Sequence, residues 1–399
     1  MVSEVRYRTF GRLGWKPSAL GFGAMRLPTE GDDPARIVED EAVRMIRCAI
    51  DHGVNYIDTA YPYHGGKSEG LVGRALRDGY REKVKVATKS PTWLLEKTED
   101  FDRYLDEQLE RLGMSSVDFY LLHSLDRGRW SKVKELDILK EAERALADGR
   151  IRHLGFSFHD GLDCFKEIVD AYDGWEFCQI QYNYMDTEFQ AGTEGLRYAA
   201  GKGLGVIVME PIRGGALASP PDSVRRVFET APVKRTPAEW ALQWVWNHPE
   251  VSLVLSGMST VRQVLENVEA AGRSGPGTLS PEELAVVDAA RREWLQTGWI
   301  PCTACGYCMP CPHGVDIPGN FDLHNRAVVT DRRERLRDWY SRWPEEKRAG
   351  SCQACAECEE KCPQELPIRD LMEKVHVLLG RTAGGQQEGK QEETRKGAD

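Results

Sequence analysis

The sequence lacks the features that would place the protein in a membrane or on nucleic acid. No apolar run reaches the roughly 20 residues that a membrane-spanning helix needs, and no export signal is recognisable near the start. Positive charge is scarce as well, because 53 Lys and Arg stand against 63 Asp and Glu, for a net charge of -10. We therefore expect a cytoplasmic protein with neither a membrane nor a nucleic acid as its partner.

Large apolar side chains are missing from Gly380 onward. Residues 380–399 therefore cannot contribute to a core, and we predict a disordered tail there. The remaining length and a hydrophobic fraction of 41% allow two folded domains. A Gly/Pro break, followed by a helical pattern that starts at Ser280-Pro281, places the predicted boundary near Thr297. The predicted domains are residues 1–296 and 297–379.

Cysteine is concentrated in the second predicted domain. Eight of the eleven cysteines form two runs with short, regular spacing, and a Pro follows the fourth Cys of each run. This spacing is typical of 4Fe-4S clusters, and in two-cluster ferredoxins the last Cys of one run ligates the cluster of the other. The first run is one residue shorter than the bacterial spacing. The sequence predicts two clusters, one on Cys302, Cys305, Cys308 and Cys362 and the other on Cys352, Cys355, Cys358 and Cys311.

Other uses of cysteine fit this pattern less well. A zinc ribbon needs two Cys pairs about 15 to 20 residues apart and leaves the further thiolates of each run without a role. A disulfide framework needs an oxidising compartment, which the expected location does not provide. The isolated Cys48, Cys164 and Cys178 stand among apolar residues, and we predict that they pack as small hydrophobic side chains.

The first 270 residues alternate short β-rich segments with amphipathic helical patterns. Eight such units can be counted, and they predict a closed (β/α)8 barrel followed by a small α-rich, ferredoxin-like 4Fe-4S domain. Catalytic groups of such barrels lie at the carboxyl ends of the strands. The predicted strands are 19–25, 54–58, 84–89, 117–123, 151–157, 177–182, 205–209 and 251–256.

Four polar residues stand at the ends of predicted strands or just after them. Asp58 ends the second strand, Tyr63 follows in its loop, Lys89 ends the third strand and His123 ends the fourth. Each alone has a structural explanation, but together at one rim they can transfer a proton. A Tyr hydroxyl has a pKa near 10, and we expect the ammonium of Lys89 to lower it. We predict Tyr63 as general acid, Asp58 as the partner of Lys89, and His123 as a donor to a carbonyl.

These four residues, together with the segments IDTAYPY, KSEGLVGRAL, GFSF and GMSTVRQVLEN, resemble the aldo-keto reductases over about residues 1–270. The resemblance implies hydride transfer between a nicotinamide cofactor and an aldehyde, ketone or alcohol, with Tyr63 as the acid. It also implies a cofactor cradle. The cradle residues are Gly23, Ala24, Met25, Ser157, Gln179, Met209, Pro211, Ile212, Arg213, Gly257, Met258, Ser259, Gln263, Glu266 and Asn267.

The sequence departs from the family mainly in this cradle. Phe158 replaces a common Asn, Met209 replaces a common Tyr, and Gly257 and Gln263 stand where a basic pair often binds the 2'-phosphate of NADP. Arg262 and Arg213 are the nearby cations that could bind a phosphate. The choice between NAD and NADP therefore stays open. A flavin is compatible with the phosphate region after strands 7 and 8, although no sequence signature supports it.

Three hypotheses follow from joining a hydride site to one-electron centres. In the first, an NAD(P)H-dependent carbonyl reductase carries structural or regulatory clusters. In the second, the clusters exchange electrons between the barrel and ferredoxin or another carrier, through a flavin where one is bound. In the third, the barrel has lost activity and serves an electron-transfer or assembly role. The intact catalytic residues argue against the third hypothesis.

Two further expectations concern the rim of the barrel. His64, next to Tyr63, is expected to face solvent as an ordinary loop residue. The segments 125–136 and 216–235 are long insertions after the fourth and seventh strands, and we expect them to shape the choice of substrate.

Overall fold

The computed structural model describes residues 5–31, 33–329 and 333–380. The chain divides into two compact units, residues 1–296 and 297–399. Apart from Gly380, the predicted tail of residues 380–399 lies outside the described residues. Within the described residues, no helix combines the length and the apolar composition needed to cross a bilayer.

The first unit contains eight parallel strands that form a closed barrel in sequence order. This confirms the predicted (β/α)8 fold. Buried, largely apolar side chains fill every strand, as expected for parallel strands that are covered on both faces. The strands are β1 Leu20–Gly23, β2 Tyr56–Asp58, β3 Lys85–Ser90, β4 Val117–Leu125, β5 Ile151–Phe158, β6 Phe177–Gln181, β7 Gly205–Met209 and β8 Val251–Ser256.

Helices surround the barrel, and the two predicted insertions are partly helical. The insertion after β4 forms α4, and the one after β7 contains α8. The helices of the first unit are α1 Glu39–Asp51, α2 Ser68–Ala75, α3 Asp100–Leu112, α4 Arg127–Glu135, α5 Ile138–Ala147, α6 Leu162–Asp170, α7 Gly192–Gly201, α8 Asp222–Glu229, α9 Pro237–Trp246, α10 Val261–Gly272 and α11 Pro281–Gln296.

The amino-terminal end of the barrel is closed by the segment that precedes β1. Isolated bridges join Tyr7 to Ser18 and Phe10 to Leu13, so this segment folds back on itself. The fully buried Phe10 packs edge-on against Phe119 of β4, with ring centroids 5.4 Å apart. Because aromatic side chains fill this end, access to the barrel interior is left to the carboxyl ends of the strands.

The ends of β4 and β5 are joined by an irregular pairing. The register between these strands shifts after Leu122, and Ser124 adopts a φ of 54°. The Ser124 N–H donates to Ser157 Oγ at 2.7 Å, and the His159 N–H donates to Leu125 O at 2.9 Å. The bulge thereby fixes the position of the rim immediately after His123.

The second unit is small and predominantly helical, with its own apolar core. Its helices pack around buried residues that include Phe321 and Val375, and six of the eight clustered cysteines pack against this core. The helices are α12 Ile317–Val329, α13 Arg333–Tyr340, α14 Glu357–Glu360 and α15 Ile368–Leu379.

Gly155 of β5 provides a test of packing inside the barrel. A methyl group at this position would lie 2.6 Å from both the ring and the carbonyl oxygen of Phe177 in β6, and the carbonyl cannot move without disturbing the sheet. We expect Gly155→Ala to destabilise the barrel by about 1–3 kcal/mol through overpacking. Gly161→Ala is the matched control, since it adds a methyl group with no atom within 4 Å. Thermal unfolding of the two variants would measure the difference, and equal melting temperatures would contradict this account.

Candidate active site and cluster sites

A buried ion pair lies at the rim of the barrel where β2 and β3 end. Lys89 Nζ lies 2.6 Å from Asp58 Oδ1 and also donates to Thr59 O at 2.7 Å. The Lys89 side chain is 0% exposed and that of Asp58 is 3% exposed. Burial lowers the pKa of Lys89, and the neighbouring carboxylate of Asp58 counteracts that shift. Each charge therefore depends on the other.

Tyr63 lies against this pair, as predicted, but its pKa moves in the opposite direction from the expected one. Its hydroxyl is 3.5 Å from Lys89 Nζ. Burial raises the pKa of Tyr63 well above 10, and the carboxylates of Asp58 and Glu210 add to this effect. The ammonium of Lys89, which is paired with Asp58, does not outweigh these effects, so the predicted lowering of the phenol pKa is wrong. Tyr63 is consequently held in its protonated form.

His123 completes the group of four at the end of β4. Its ring lies edge-on to Tyr63, with centroids 6.1 Å apart, and its backbone carbonyl accepts a hydrogen bond from Thr92 Oγ1 at 2.6 Å. Burial and the charge of Lys89 lower the pKa of His123 well below 6.5. A neutral imidazole therefore stands beside the Tyr63 ring. The structure brings all four predicted catalytic residues together.

A buried polar network contacts the backbone of Lys89. Gln108 of α3 donates to the Lys89 carbonyl at 3.0 Å and to Glu69 Oε1 at 2.7 Å. Thr88 donates to the same Glu69 oxygen at 2.6 Å. Glu69 belongs to the segment KSEGLVGRAL, and its carboxylate also pairs with Arg111 at 3.2 Å. In the sequence this segment carries only the resemblance to the aldo-keto reductases, because its contact with Gln108, which in turn donates to Lys89, joins distant parts of the chain.

His64 is buried, contrary to the expectation that it faces solvent. Its Nε2 accepts from the Leu27 N–H at 3.1 Å, and Nδ1 lies 2.7 Å from Pro34 O. Burial lowers the pKa of His64, which favours the neutral ring that these two contacts require. His64, which directly follows Tyr63, therefore connects the loop after β2 to the loop after β1. The local sequence does not indicate this long-range contact.

In the predicted cradle, Gln179 of β6 has a buried hydrogen-bond acceptor that the protein leaves unsatisfied. Its Nε2 contacts the sulfur of Met209 at 3.4 Å, while its buried Oε1 has no hydrogen-bond partner among the described residues. A buried acceptor of this kind requires a donor. The carboxamide of a nicotinamide ring carries such a donor, so the residues present fit this cofactor.

The remaining cradle residues of β1, β5 and β7 are held in place by contacts with the protein. Ala24, between Gly23 and Met25, donates its N–H to Asp58 O at 2.8 Å. The Ser157 hydroxyl is engaged by Ser124, as described above. After β7, Pro211 and Ile212 lead to Arg213, which is largely buried and pairs with Asp186 at 2.9 Å. This ion pair fixes the loop after β7, while the buried Nε of Arg213 has no hydrogen-bond partner among the described residues.

Contacts within the loop after β8 involve the two positions at which this loop departs from the family pattern, Gly257 and Gln263. A methyl group on Gly257 would meet the side chain of Arg26 at 3.2 Å, so the small residue makes room for that arginine. Gln263 Oε1 accepts from the Ser259 N–H at 2.8 Å, next to the buried Met258. Further along α10, Asn267 donates to Ser256 Oγ at 3.1 Å, and Glu266 lies 3.6 Å from the exposed Arg262.

The eight clustered cysteines form two four-cysteine clefts in the second unit. Each cleft combines three cysteines of one run with the fourth cysteine of the other, which is the exchanged arrangement that the sequence predicts. The first cleft is lined by Cys302, Cys305, Cys308 and Cys362, and the second by Cys311, Cys352, Cys355 and Cys358.

The electrostatics of the thiols agree with this grouping. Burial raises the pKa of Cys308 to about 12, and the charges of Cys305, Cys302 and Cys362 contribute in the same direction. Within the described residues, no three His, Cys, Asp or Glu side chains converge closely enough to hold a single metal ion. Four thiols around each cleft are the number of ligands that a cubane cluster uses.

Comparison with known protein families finds a match for each of the two units. Residues 19–292 match the model described as the aldo/keto reductase family, and residues 301–368 match a 4Fe-4S dicluster domain. The first match covers more than half of the chain and includes the four residues at the barrel rim.

Individual relatives agree with the first match. L-Galactose dehydrogenase from Arabidopsis thaliana is 30% identical, over 72% of this chain and 95% of its own. The 6-dehydroglucose reductase from Novosphingobium aromaticivorans is 26% identical, over 66% and 90%. An aldo-keto reductase from Klebsiella pneumoniae in complex with NADPH is 25% identical, with a TM-score of 0.58 over 74% of this chain and 96% of its own. The protein belongs to the aldo-keto reductase family and carries a 4Fe-4S dicluster domain at its C-terminal side.

Proposed function

We propose that this protein reduces an aldehyde or ketone with NADPH or NADH, or oxidises the corresponding alcohol, with Tyr63 as the general acid. The observation that carries the proposal is the buried Lys89–Asp58 pair, with the Tyr63 hydroxyl 3.5 Å from Lys89 Nζ and His123 next to it. The NADPH complex of the Klebsiella relative supports the choice of cofactor class.

His123, Tyr63 and Lys89 have separate roles in the proposed reaction. A bound nicotinamide cofactor would supply the hydride to the carbonyl carbon. The neutral His123 donates a hydrogen bond to the carbonyl oxygen and orients it toward Tyr63. Tyr63 then gives its proton to that oxygen as negative charge develops on it, and Lys89 stabilises the resulting phenolate. The raised pKa of Tyr63 keeps the acid protonated before the reaction.

The proposed cofactor contacts follow from the cradle. Gln179 Oε1 would accept from the nicotinamide carboxamide, and Ser157 would lie nearby on β5. The loops after β7 and β8 and the start of α10 would hold the remainder of the dinucleotide, with Arg262 as an exposed cation for a 2'-phosphate.

We further propose two 4Fe-4S clusters, one in each four-cysteine cleft. A second function is favoured by the exposure of Cys355 in the second cleft. Solvent access at one ligand would let a ferredoxin or another one-electron carrier approach that cluster. In this alternative the clusters exchange electrons with the barrel site, through a flavin where one is bound, because hydride transfer moves two electrons and each cluster passes one.

The general-acid role can be tested with Tyr63→Phe. This variant keeps the ring but has no transferable proton, so carbonyl reduction should fall by roughly 10²–10⁴ while nicotinamide binding changes little. Tyr61→Phe is the matched control, since the Tyr61 hydroxyl contacts Glu107 on α3 instead of the ion pair. Steady-state rates and fluorescence titration with NADPH would separate the two effects. Full activity in Tyr63→Phe would refute the role.

The exchanged ligand sets predict a particular pattern of iron loss. Anaerobically prepared protein should contain about eight iron atoms per chain, and Cys311→Ala or Cys355→Ala should each reduce this to about four. The double variant of these two residues should retain about four because both ligate one cluster. The double variant Cys311→Ala with Cys305→Ala should lose nearly all iron.

Iron analysis of the two single variants and both double variants measures this pattern. If each run held its own cluster, the Cys311 and Cys305 pair would retain half of the iron. Zinc in place of iron would refute both arrangements.

The electron-exchange alternative makes a separate prediction about Cys355→Ala. If electrons pass through the second cleft, substrate reduction driven by a reduced viologen dye should be lost in this variant, at equal concentrations of folded protein. Reduction driven by NADPH should persist, because the residues of the barrel rim are unchanged. Wild-type protein that shows no viologen-driven reduction would favour a structural or regulatory role for the clusters.

A further inference from the structure

The first residue after β7 has a strained backbone that several contacts hold in place. Glu210 adopts a φ of 55°, in the left-handed region that few residues other than Gly, Asn and Asp occupy. Its carbonyl oxygen accepts from Asn183 Nδ2 at 3.1 Å and from the Arg213 N–H at 3.1 Å. The Gly214 N–H donates to its carboxylate. Strain that the surrounding structure maintains in this way is typical of functional positions.

The Glu210 carboxylate acts on the catalytic tyrosine. Burial raises the pKa of Tyr63, and the charges of Asp58 and Glu210 raise it further. Burial also raises the pKa of Glu210 itself, while the charge of Arg26 counteracts that shift. The neighbours of Glu210 in the segment 209–213 belong to the predicted cofactor cradle, whereas Glu210 has no role there. It is a second carboxylate near Tyr63 that the reaction described above does not use.

Arg26 brings the opposite charge to Tyr63 from the loop after β1. The residue two positions before Arg26 donates its N–H to Asp58 O at 2.8 Å, and the residue after it donates its N–H to His64 Nε2 at 3.1 Å. Both contacts attach Arg26 to the stretch of chain that contains Tyr63. The charge of Arg26 lowers the pKa of Tyr63 and that of Glu210. In the closed barrel β8 lies between β7 and β1, so Glu210 and Arg26 approach from loops on either side of β8.

The other charged and titratable groups of the rim have partners of their own or are neutral. Lys89 pairs with Asp58, Arg213 pairs with Asp186, and Arg129 pairs with Asp126. Lys132 Nζ donates to Trp93 O at 3.4 Å. Burial lowers the pKa of His123 and of His159, so both rings are neutral. Glu210 and Arg26 differ from these groups because they act on the Tyr63 hydroxyl with opposite signs.

We propose that Glu210 and Arg26 are positioning residues whose opposite charges set the pH range in which Tyr63 serves as an acid or as a base. The inference rests on the proposed reductase function and adds a control of its two directions. In reduction, Tyr63 gives its proton to the carbonyl oxygen as the carbonyl carbon takes the hydride. In oxidation, the Tyr63 phenolate takes the proton of the alcohol as the hydride passes to the oxidised nicotinamide.

The two charges favour different forms of Tyr63. The Glu210 carboxylate disfavours the phenolate, and the Arg26 guanidinium favours it. Glu210 therefore extends carbonyl reduction to higher pH and restricts alcohol oxidation to higher pH. Arg26 limits the size of this effect.

The experiment follows the oxidation of 1-propanol at saturating NADP⁺ as a function of pH. Glu210→Gln keeps the length of the side chain and removes its charge, so the rise of kcat/KM with pH should move to lower pH. At about pH 9 the rate should be about threefold or more above that of the wild-type protein, because more of Tyr63 is ionised. Arg26→Gln should move the rise to higher pH and lower the rate at the same pH. Glu210→Asp retains the charge and should restore the wild-type profile.

The matched control is Glu229→Gln, which removes an exposed carboxylate of α8, 3.8 Å from Arg225, in the same connection between β7 and β8. It should leave the profile unchanged. The double variant Arg26→Gln with Glu210→Gln should lie between the two single variants. If Glu210→Gln does not fold, the shift in Arg26→Gln decides the question.

Unmoved profiles in the folded variants, with propanal reduction retained, would overturn the inference and leave the reductase function intact. Shifts in the same direction for Glu210→Gln and Arg26→Gln would also overturn it. A lower melting temperature of Glu210→Gln with an unmoved profile would assign Glu210 a structural role only. Wild-type protein that oxidises neither NADPH nor NADH with propanal or any other aldehyde would overturn the proposed function, and the inference with it.

Discussion

The desolvated ion pair of Lys89 and Asp58 is the interaction on which the active site depends. A buried charge without its partner typically costs about 3–5 kcal/mol, so neither residue can be placed independently of the other. The pair fixes the ends of β2 and β3 relative to each other. Thr59 O accepts a second hydrogen bond from the Lys89 ammonium, and Gln108 of the Glu69 network donates to the Lys89 backbone carbonyl. Tyr63 lies against a charge whose position is fully determined, which is the preorganisation that proton transfer requires.

The barrel and the four rim residues could be predicted because each of them can be recognised from a short stretch of sequence. Each strand appears as a short β-rich run, and parallel strands bring their carboxyl ends to one rim, so Lys89 and His123 had to meet. The cysteine clefts were predictable for a similar reason. The spacing of the thiols and the Pro after each fourth Cys describe the ligand exchange that the clefts then show.

The features that escaped prediction arise from contacts between distant parts of the chain. His64 is buried because its ring bridges the loop after β1, and Gly257 is small because Arg26 crosses it. The pKa of Tyr63 rises because its hydroxyl is buried and because the carboxylates of Asp58 and of Glu210, which follows β7, lie close to it. Local sequence names these residues but does not give their neighbours, and burial and charge depend on the neighbours.

The exchange of Cys311 and Cys362 between the two clefts has a consequence for how the protein is made. Translation proceeds from the amino terminus, so in the proposed assignment Cys302, Cys305 and Cys308 leave the ribosome with one corner of their cluster still without a ligand. That corner arrives only with Cys362, near the end of the described chain. The barrel sequence has by then been synthesised in full. The first cleft can therefore hold the proposed cluster only after Cys362 has been synthesised, and a truncation anywhere before Cys362 leaves this cleft without its fourth thiolate.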